Sequence, residues 1–223
     1  AVTEFVDEMS EDVRLMGAVN TLVFEEDGRI VGHNTDGIGW LRFVEETTGE
    51  YPKGKRCLVL GAGGAARAIA VKIAQCGAEH LEIRNRTAEK AAELARFVEE
   101  SIPGAKASSG GLENLQEAAA GCGLIVNTTS QGMWGDAERE AASPIPEDAI
   151  PESAICSDAV YIPPDTAFLK AAERRGAKTV RGTGWLVYQG AASWKLWTGT
   201  DMPTDLVMQK LLDALDKRIK GED

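Results

Sequence analysis

The chain has 223 residues, 43% of them hydrophobic and 26% charged, a composition that supports a globular protein with a sizeable core. Thirty-five acidic against 24 basic side chains leave a net charge of −11, which argues against nucleic acid or an anionic membrane surface as the main partner. No apolar run reaches the roughly 18 residues of a membrane span and no signal-type segment is read at the start, so the expected location is the cytoplasm.

Residues 1–9 carry Val2, Phe5, Val6 and Met9 at helical spacing and predict an amphipathic helix; Ser10 with Glu11 and Asp12 opens a second, short one ending near Met16. Ala18 to Phe24 predicts a strand, Glu26-Asp27-Gly28 a turn, and Arg29 to His33 the returning arm of a hairpin. Asn34-Thr35-Asp36-Gly37 leads into a helix over 38–46, and the stretch 49–55 with Pro52 is a connection. From Arg56 onward strands alternate with helices. The pattern predicts strand 56–61, helix 64–76, strand 79–84, helix 88–100, a weaker strand 105–108 and a short helix 111–120. Strand 123–127, a long loop over 135–153, strand 154–158, helix 165–175, strand 177–181 and helix 184–198 complete the alternation. A last amphipathic helix, 203–219, carries Met208, Leu211, Leu212, Leu215 and Ile219 on one stripe. Alternation of this kind specifies an α/β fold, a Rossmann-like doubly wound parallel sheet with helices on both faces. The four cysteines are widely spaced and only two histidines exist, so they read as buried free thiols and no metal site is expected.

Within that frame, Cys57-Leu-Val-Leu-Gly61-Ala62-Gly63-Gly64-Ala65-Ala66 places a glycine turn between a strand and a helix, with Gly61, Gly63 and Ala66 at the dinucleotide fingerprint positions. Gly61 permits the tight turn, Gly63 lets backbone N–H groups approach a pyrophosphate, and Ala66 lets the helix sit close to the strand. The end of the second strand reads Glu82-Ile-Arg84-Asn85-Arg86-Thr87-Ala-Glu-Lys90. Glu82 lies two residues too early to bind a ribose 2′-hydroxyl, whereas Arg84, Arg86 and Lys90 suit a 2′-phosphate, so NADP is favoured over NAD. A solvated loop is the competing reading of the same bases. On local sequence Asp36 reads as a helix N-cap, Asn20 as a polar residue closing a hairpin edge, and Gln189 as an exposed helical glutamine. His33 and His80 read as structural.

The set Gly17-Ala-Val-Asn20-Thr21, Asn34-Thr-Asp36-Gly37, Gly61 to Ala66, Asn85-Arg86-Thr87, Asn127-Thr128-Thr129 and Gly182-Thr-Gly184-Trp-Leu-Val-Tyr-Gln189 occurs in that order. Over essentially the whole chain it resembles shikimate dehydrogenase, the NADP-dependent enzyme of aromatic amino-acid biosynthesis. The resemblance implies reversible reduction of 3-dehydroshikimate to shikimate, with a close relative that also accepts quinate. It implies that Asn20, Asp36, Tyr161 and Gln189 line the substrate pocket, with Asp36 one half of a catalytic Lys–Asp pair. Gly61, Ala62, Gly63, Gly64, Ala65, Ala66, Asn85, Arg86, Thr87 and Lys90 would hold the NADP phosphates and adenosine ribose. Thr128, Thr129 and Met133 would flank the cofactor, and Gly184 would lie by the nicotinamide.

The implied organisation is a remnant of a smaller α/β substrate domain over 1–36, a connecting helix and linker over 37–55, an NADP-binding domain over 56–200 and a C-terminal helix over 201–223. Two features depart from the family pattern. A Val-Thr-x-Pro-x-Lys motif does not occur here, and Lys53 after Pro52 lies past Asp36 and does not match it, so the expectation is a chain lacking the catalytic lysine that binds NADP(H) but turns over poorly. Trp185 stands where the family more often carries methionine against the nicotinamide. The stripes on 1–9 and 203–219 are expected to pair with a second copy, as a homodimer, or to aggregate. The alternatives are a quinate/shikimate dehydrogenase using NAD and a non-catalytic NADPH-binding module.

Overall fold

Apolar residues on both faces of the central strands, Arg56–Leu60 and Leu124–Asn127, require helices above and below, and the structure, a computed structural model describing residues 2–222, supplies them. Near the start, β1 (Glu8–Met9), β2 (Thr21–Phe24) and β3 (Ile30–His33) form a three-stranded sheet in the order β1-β3-β2. β2 and β3 are the expected antiparallel hairpin, while β1 runs parallel to β3. Here the expected helix over 1–9 is corrected: Val2–Phe5 is a single 3-10 turn and Glu8–Met9 a strand, and Ala1 lies outside the described residues. Tertiary pairing overrides the helical spacing, because Asp7 N–H donates to the Ile30 carbonyl and Ser10 N–H to that of Gly32. Between them α1 (Glu11–Met16) starts on Ser10, whose side chain accepts from the Val13 N–H, and stops on left-handed Gly17.

After α2 (Asp36–Thr48) the chain forms β4 (Arg56–Leu60), α3 (Gly64–Gln75), β5 (His80–Arg84), α4 (Ala88–Ser101), β6 (Ala107–Gly110), α5 (Leu115–Ala119) and β7 (Leu124–Asn127). α6 (Ala137–Ala141), β8 (Ile155–Asp158), α7 (Ala167–Arg174), β9 (Lys178–Val180), α8 (Gly182–Thr198) and α9 (Thr204–Lys220) follow. The six strands β4 to β9 are all parallel, in the order β6-β5-β4-β7-β8-β9. Strand order reverses between β4 and β7, which opens the crevice where doubly wound sheets hold their ligands. Along β4, Cys57 and Val59 enter a core with α2, α3, α4 and α8, while Leu58 and Leu60 enter a second core with α5 and α7. Burial pushes the Cys57, Cys122 and Cys156 thiols up to about 12, 11 and 12. The long loop over 135–153 is not structureless: it contains α6 and a 3-10 turn, Glu147–Ala149. On the α9 stripe Leu215 is buried, Met208, Leu211 and Leu212 are half-buried and Ile219 is exposed; Leu206, on the same helix, is exposed too.

α2 and α8 make the most intimate helix pair. A Cβ on Gly39 would strike the backbone N and Cα of Gln189, and a Cβ on Gly184 would strike the ring of Phe43. The two backbones therefore approach as closely as glycine allows. Gly39→Ala meets main chain, which cannot rotate away, and is expected to destabilise the fold by about 3 kcal/mol in urea unfolding. A variant as stable as the parent would show the crossing to be loose.

Candidate active site

The glycine turn sits at the strand-order reversal. Gly61 is held at φ +117 with its N–H donated to the Arg84 carbonyl, and a Cβ there would strike the Thr128 hydroxyl. Gly63 is the N-cap of α3 and offers no side-chain acceptor, so the first N–H groups of the helix are left for an incoming anion. Nothing lies within 4 Å of the Cβ positions of Gly63 or Gly64, so the space above them is open. Ala66 is fully buried against the sheet. Ala62, Gly63, Gly64, Arg67 and Lys90 line one hollow beside this turn; Asn85, Arg86, Thr129 and Ser130 line a second. A third, of about 430 Å³, is lined by Thr128, Thr129, Met133, Trp134 and Tyr161. Thr129 is shared by the second and third, so they form a cleft along the carboxyl ends of the strands.

The polar side chains around this cleft are anchored. Thr128 donates both N–H and hydroxyl to the Leu60 carbonyl at 2.8 Å, tying β7 to the glycine turn. Asn85 Nδ2 donates to the Thr87 carbonyl at 2.9 Å and shapes the loop into α4. Arg86 and Lys90 are exposed and, among the described residues, have no ion-pair partner. Arg84 is different. Its Nε donates to Glu82 Oε1 at 2.6 Å, and Glu82 is buried and also accepts from Ser108. The expectation that Arg84 serves a 2′-phosphate is therefore corrected: its charge is spent on the carboxylate two residues earlier. His80 joins the same cluster, with Nε2 2.6 Å from Ser108 Oγ.

The second constellation lies where α2 leaves the three-stranded sheet. Asn20 Nδ2 donates to Asp36 Oδ1 at 2.9 Å, and the Asn20 carbonyl oxygen accepts from Thr35 N at 3.0 Å. The N-cap reading of Asp36 does not hold. Thr35 occupies the cap, Asp36 is the first helical residue, and its carboxylate faces Asn20. Burial raises the Asp36 carboxyl above the ordinary carboxylate value, and the Asn20 hydrogen bond partly offsets this. Trp185 Nε1 donates to the Asp36 main-chain carbonyl at 2.9 Å.

Two family models match the chain: shikimate / quinate 5-dehydrogenase over residues 44–135, and the shikimate 5'-dehydrogenase C-terminal domain over 182–212. The shikimate dehydrogenase (NADP(+)) of Methanopyrus kandleri is 41% identical over 217 residues, 96% of this chain and 73% of that protein. The chain belongs to the shikimate dehydrogenase family. Its counterpart in Alkaliphilus oremlandii is 40% identical over 212 residues, 94% of this chain and 73% of the relative. Among solved structures, the Listeria monocytogenes shikimate 5-dehydrogenase in complex with shikimate and NAD aligns with TM-score 0.86 and 32% identity, over 95% of this chain and 73% of that one. The Thermus thermophilus shikimate 5-dehydrogenase in complex with NADP(H) and shikimate aligns with TM-score 0.80 and 34% identity, over 96% and 74%.

Against this shikimate dehydrogenase frame, the expected site residues fall into groups. Asn20 meets Asp36 directly, and Thr128, Thr129, Met133 and Tyr161 share one hollow. Gln189 Nε2 donates to the Leu186 carbonyl of its own helix at 3.1 Å. Gly184 is buried in the first turn of α8, packed on Phe43, and the Trp185 ring is turned into the core at 7% exposure.

Asp158, at the carboxyl end of β8, is a residue that sequence reasoning passed over. Fully buried, it accepts from Asn127 Nδ2 at 2.8 Å, Thr166 Oγ1 at 2.6 Å and Val160 N at 3.0 Å. Asn127 in turn accepts from Thr129 N and Oγ1, so Asp158 underlies both the Thr129 turn and the segment to Tyr161. The available signal was a lone acid ending a buried apolar strand at the crevice. Burial pushes this carboxyl up to about 6 from 3.8. The native state thus keeps a proton that the unfolded chain releases, and the stabilisation is complete below pH 3.8 and lost as pH rises through about 6. Relative to Asp158→Asn, the parent is expected to lose on the order of 2 kcal/mol between pH 4 and pH 7 in urea unfolding. A pH-independent difference would contradict this.

Proposed function

We propose that this protein binds NADP(H) along the strand-end cleft and carries out the shikimate-type interconversion of an alcohol and a ketone, reduction of 3-dehydroshikimate and oxidation of shikimate. The single observation that carries the reading is the Asn20–Asp36 pair, a raised carboxyl held by an amide where α2 meets α8, in a chain about 40% identical to NADP(+) shikimate dehydrogenases. When bound, the nicotinamide supplies or accepts the hydride. Asp36 holds or moves the accompanying proton at its carboxyl, and Asn20 orients that carboxyl and offers an amide edge to the substrate. The α3 N-terminus and the open space over Gly63 suit the pyrophosphate, Arg86 and Lys90 the 2′-phosphate, and Thr128, Thr129 and Met133 the cofactor's flank. Tyr161 and Gln189 complete the substrate side, and Gly184 lies by the nicotinamide.

These 223 residues contain no Val-Thr-x-Pro-x-Lys segment, and among the described residues the groups acting on the Asp36 carboxyl are its burial and Asn20, with no cation. The reading is therefore tight NADP(H) binding with slow turnover of this 223-residue chain. Isothermal titration with NADPH and a steady-state assay of shikimate oxidation test both parts. Absence of NADPH binding refutes the cofactor half; rates equal to those of the Methanopyrus kandleri relative refute slow turnover.

A further inference from the structure

α8 reaches the Asn20–Asp36 pair through two polar side chains that the functional reading leaves unused. Ser193 is buried, at 4% exposure, with its Oγ 2.6 Å from Thr21 Oγ1 and 3.1 Å from Thr35 Oγ1. Both threonines are buried at 2% exposure. Thr21 Oγ1 donates its one proton to the Asn20 carbonyl oxygen at 2.9 Å; Ser193 Oγ has two acceptors within reach, Thr21 Oγ1 at 2.6 Å and the Gln189 carbonyl of its own helix at 3.2 Å, and the shorter contact makes it the donor to Thr21. Thr35 places its N–H at 3.0 Å and its hydroxyl at 3.2 Å from the same Asn20 oxygen. The Asn20 oxygen thus sits among donors, and a flipped amide would set its NH₂ against them. Only one orientation remains, the one in which Nδ2 donates to Asp36.

Eight residues earlier on the same helix, Trp185 Nε1 donates to the Asp36 carbonyl. The helix can deliver both contacts to a fixed place because Gly39 and Gly184 seat it directly on α2. We propose that Ser193 and Trp185 are positioning residues: through Thr21 and Thr35 the first sets the Asn20 amide, and the second sets the Asp36 main chain, so that α8 aligns the acid/base pair. The inference rests on the reading of Asp36 as the acid/base half. Neither side chain touches the reacting atoms in this scheme. Each acts through another residue.

The test follows Asp36 itself. A carbon-13 NMR titration of its carboxyl is compared across the parent chain, Ser193→Ala, Ser193→Thr and Trp185→Phe, with shikimate and NADPH affinities measured on the same samples. A loosened Asn20 bond leaves burial to act alone, so the Asp36 midpoint is expected to rise by about half a unit or more in Ser193→Ala. Shikimate binding is expected to weaken about fivefold to tenfold, the loss of one well-placed hydrogen bond, while NADPH affinity stays within about twofold. Ser193→Thr keeps the hydroxyl and is expected to keep the parent midpoint. Trp185→Phe is expected to shift the midpoint in the same way; should it fail to fold, the Ser193 variants decide. The proposal is overturned if Ser193→Ala and Trp185→Phe lower thermal stability but leave the Asp36 midpoint and shikimate affinity unchanged. A parent chain that binds no shikimate would sink the functional reading instead, and the Asp36 titration would still judge the positioning.

Discussion

Arg86→Ala is expected to weaken NADPH binding about 100-fold and NADH binding less than about threefold, from the ~2–3 kcal/mol of a charge-assisted hydrogen bond to a phosphate dianion. The asymmetry follows from how the three bases at the end of β5 are used. Arg84 is paired with the buried carboxylate of Glu82 at 2.6 Å and has little charge to offer outward. Arg86 is exposed, faces the hollow lined by Asn85 and Thr129, and has no ion-pair partner among the described residues. Lys90 lies four residues further on, in the first turn of α4, and lines the same hollow as Gly63 and Gly64, so it is proposed as the second charge. Adding Lys90→Ala is expected to bring NADPH down to NADH affinity, whereas Arg84→Ala should act mainly on stability, because it strands Glu82. Titration calorimetry with both dinucleotides checks this. Equal losses for NADPH and NADH in Arg86→Ala would place the 2′-phosphate elsewhere.

Asp36→Asn is expected to lower kcat for shikimate oxidation about 1,000-fold relative to the parent chain, within the ~10²–10⁴ that a positioned acid/base contributes, with NADPH affinity within about twofold. The amide is close to isosteric and can still present an oxygen to Asn20 Nδ2, so the geometry survives and proton transfer does not. The pH profile supplies the sign. Oxidation needs the ionised carboxylate, and burial raises Asp36, so the parent's rate should climb with pH along a limb above the ordinary carboxylate range. Asp36→Asn should abolish that limb. A variant with parental rates would remove Asp36 from the chemistry and, with it, the proposed reaction.

Much of the architecture is legible in the sequence, for physical reasons particular to each stretch. A parallel strand buried on both faces is a short apolar run, so Cys57-Leu-Val-Leu and Leu124-Ile-Val announced β4 and β7. A glycine with a required conformation is equally local: the tight turn at Gly61, held at φ +117, could be inferred from its place after a strand, whereas its clearance against Thr128 could not. The weaker signals failed where pairing partners are distant in sequence. Residues 1–9 have helical spacing, yet Glu8 and Met9 are captured by β3, more than 20 residues away.

The site divides along the same line. Local sequence dictates the strand–turn–helix of the cofactor unit, the basic character at the end of β5, and the side-chain types offered at 20 and 36, because each depends on neighbours a few residues apart. Which of those groups remain available depends on how the chain folds back on itself. Tertiary packing takes Arg84 for Glu82, turns Asp36 from a helix cap into the acceptor for Asn20, places Asp158 beneath the Thr129 turn, and brings Trp185 and Ser193 from 149 and 172 residues away in sequence to bond Asp36 and Thr21. A hydrogen bond needs its partners within about 3 Å, and proximity across such separations is set by the crossing of α2 and α8, not by any local pattern.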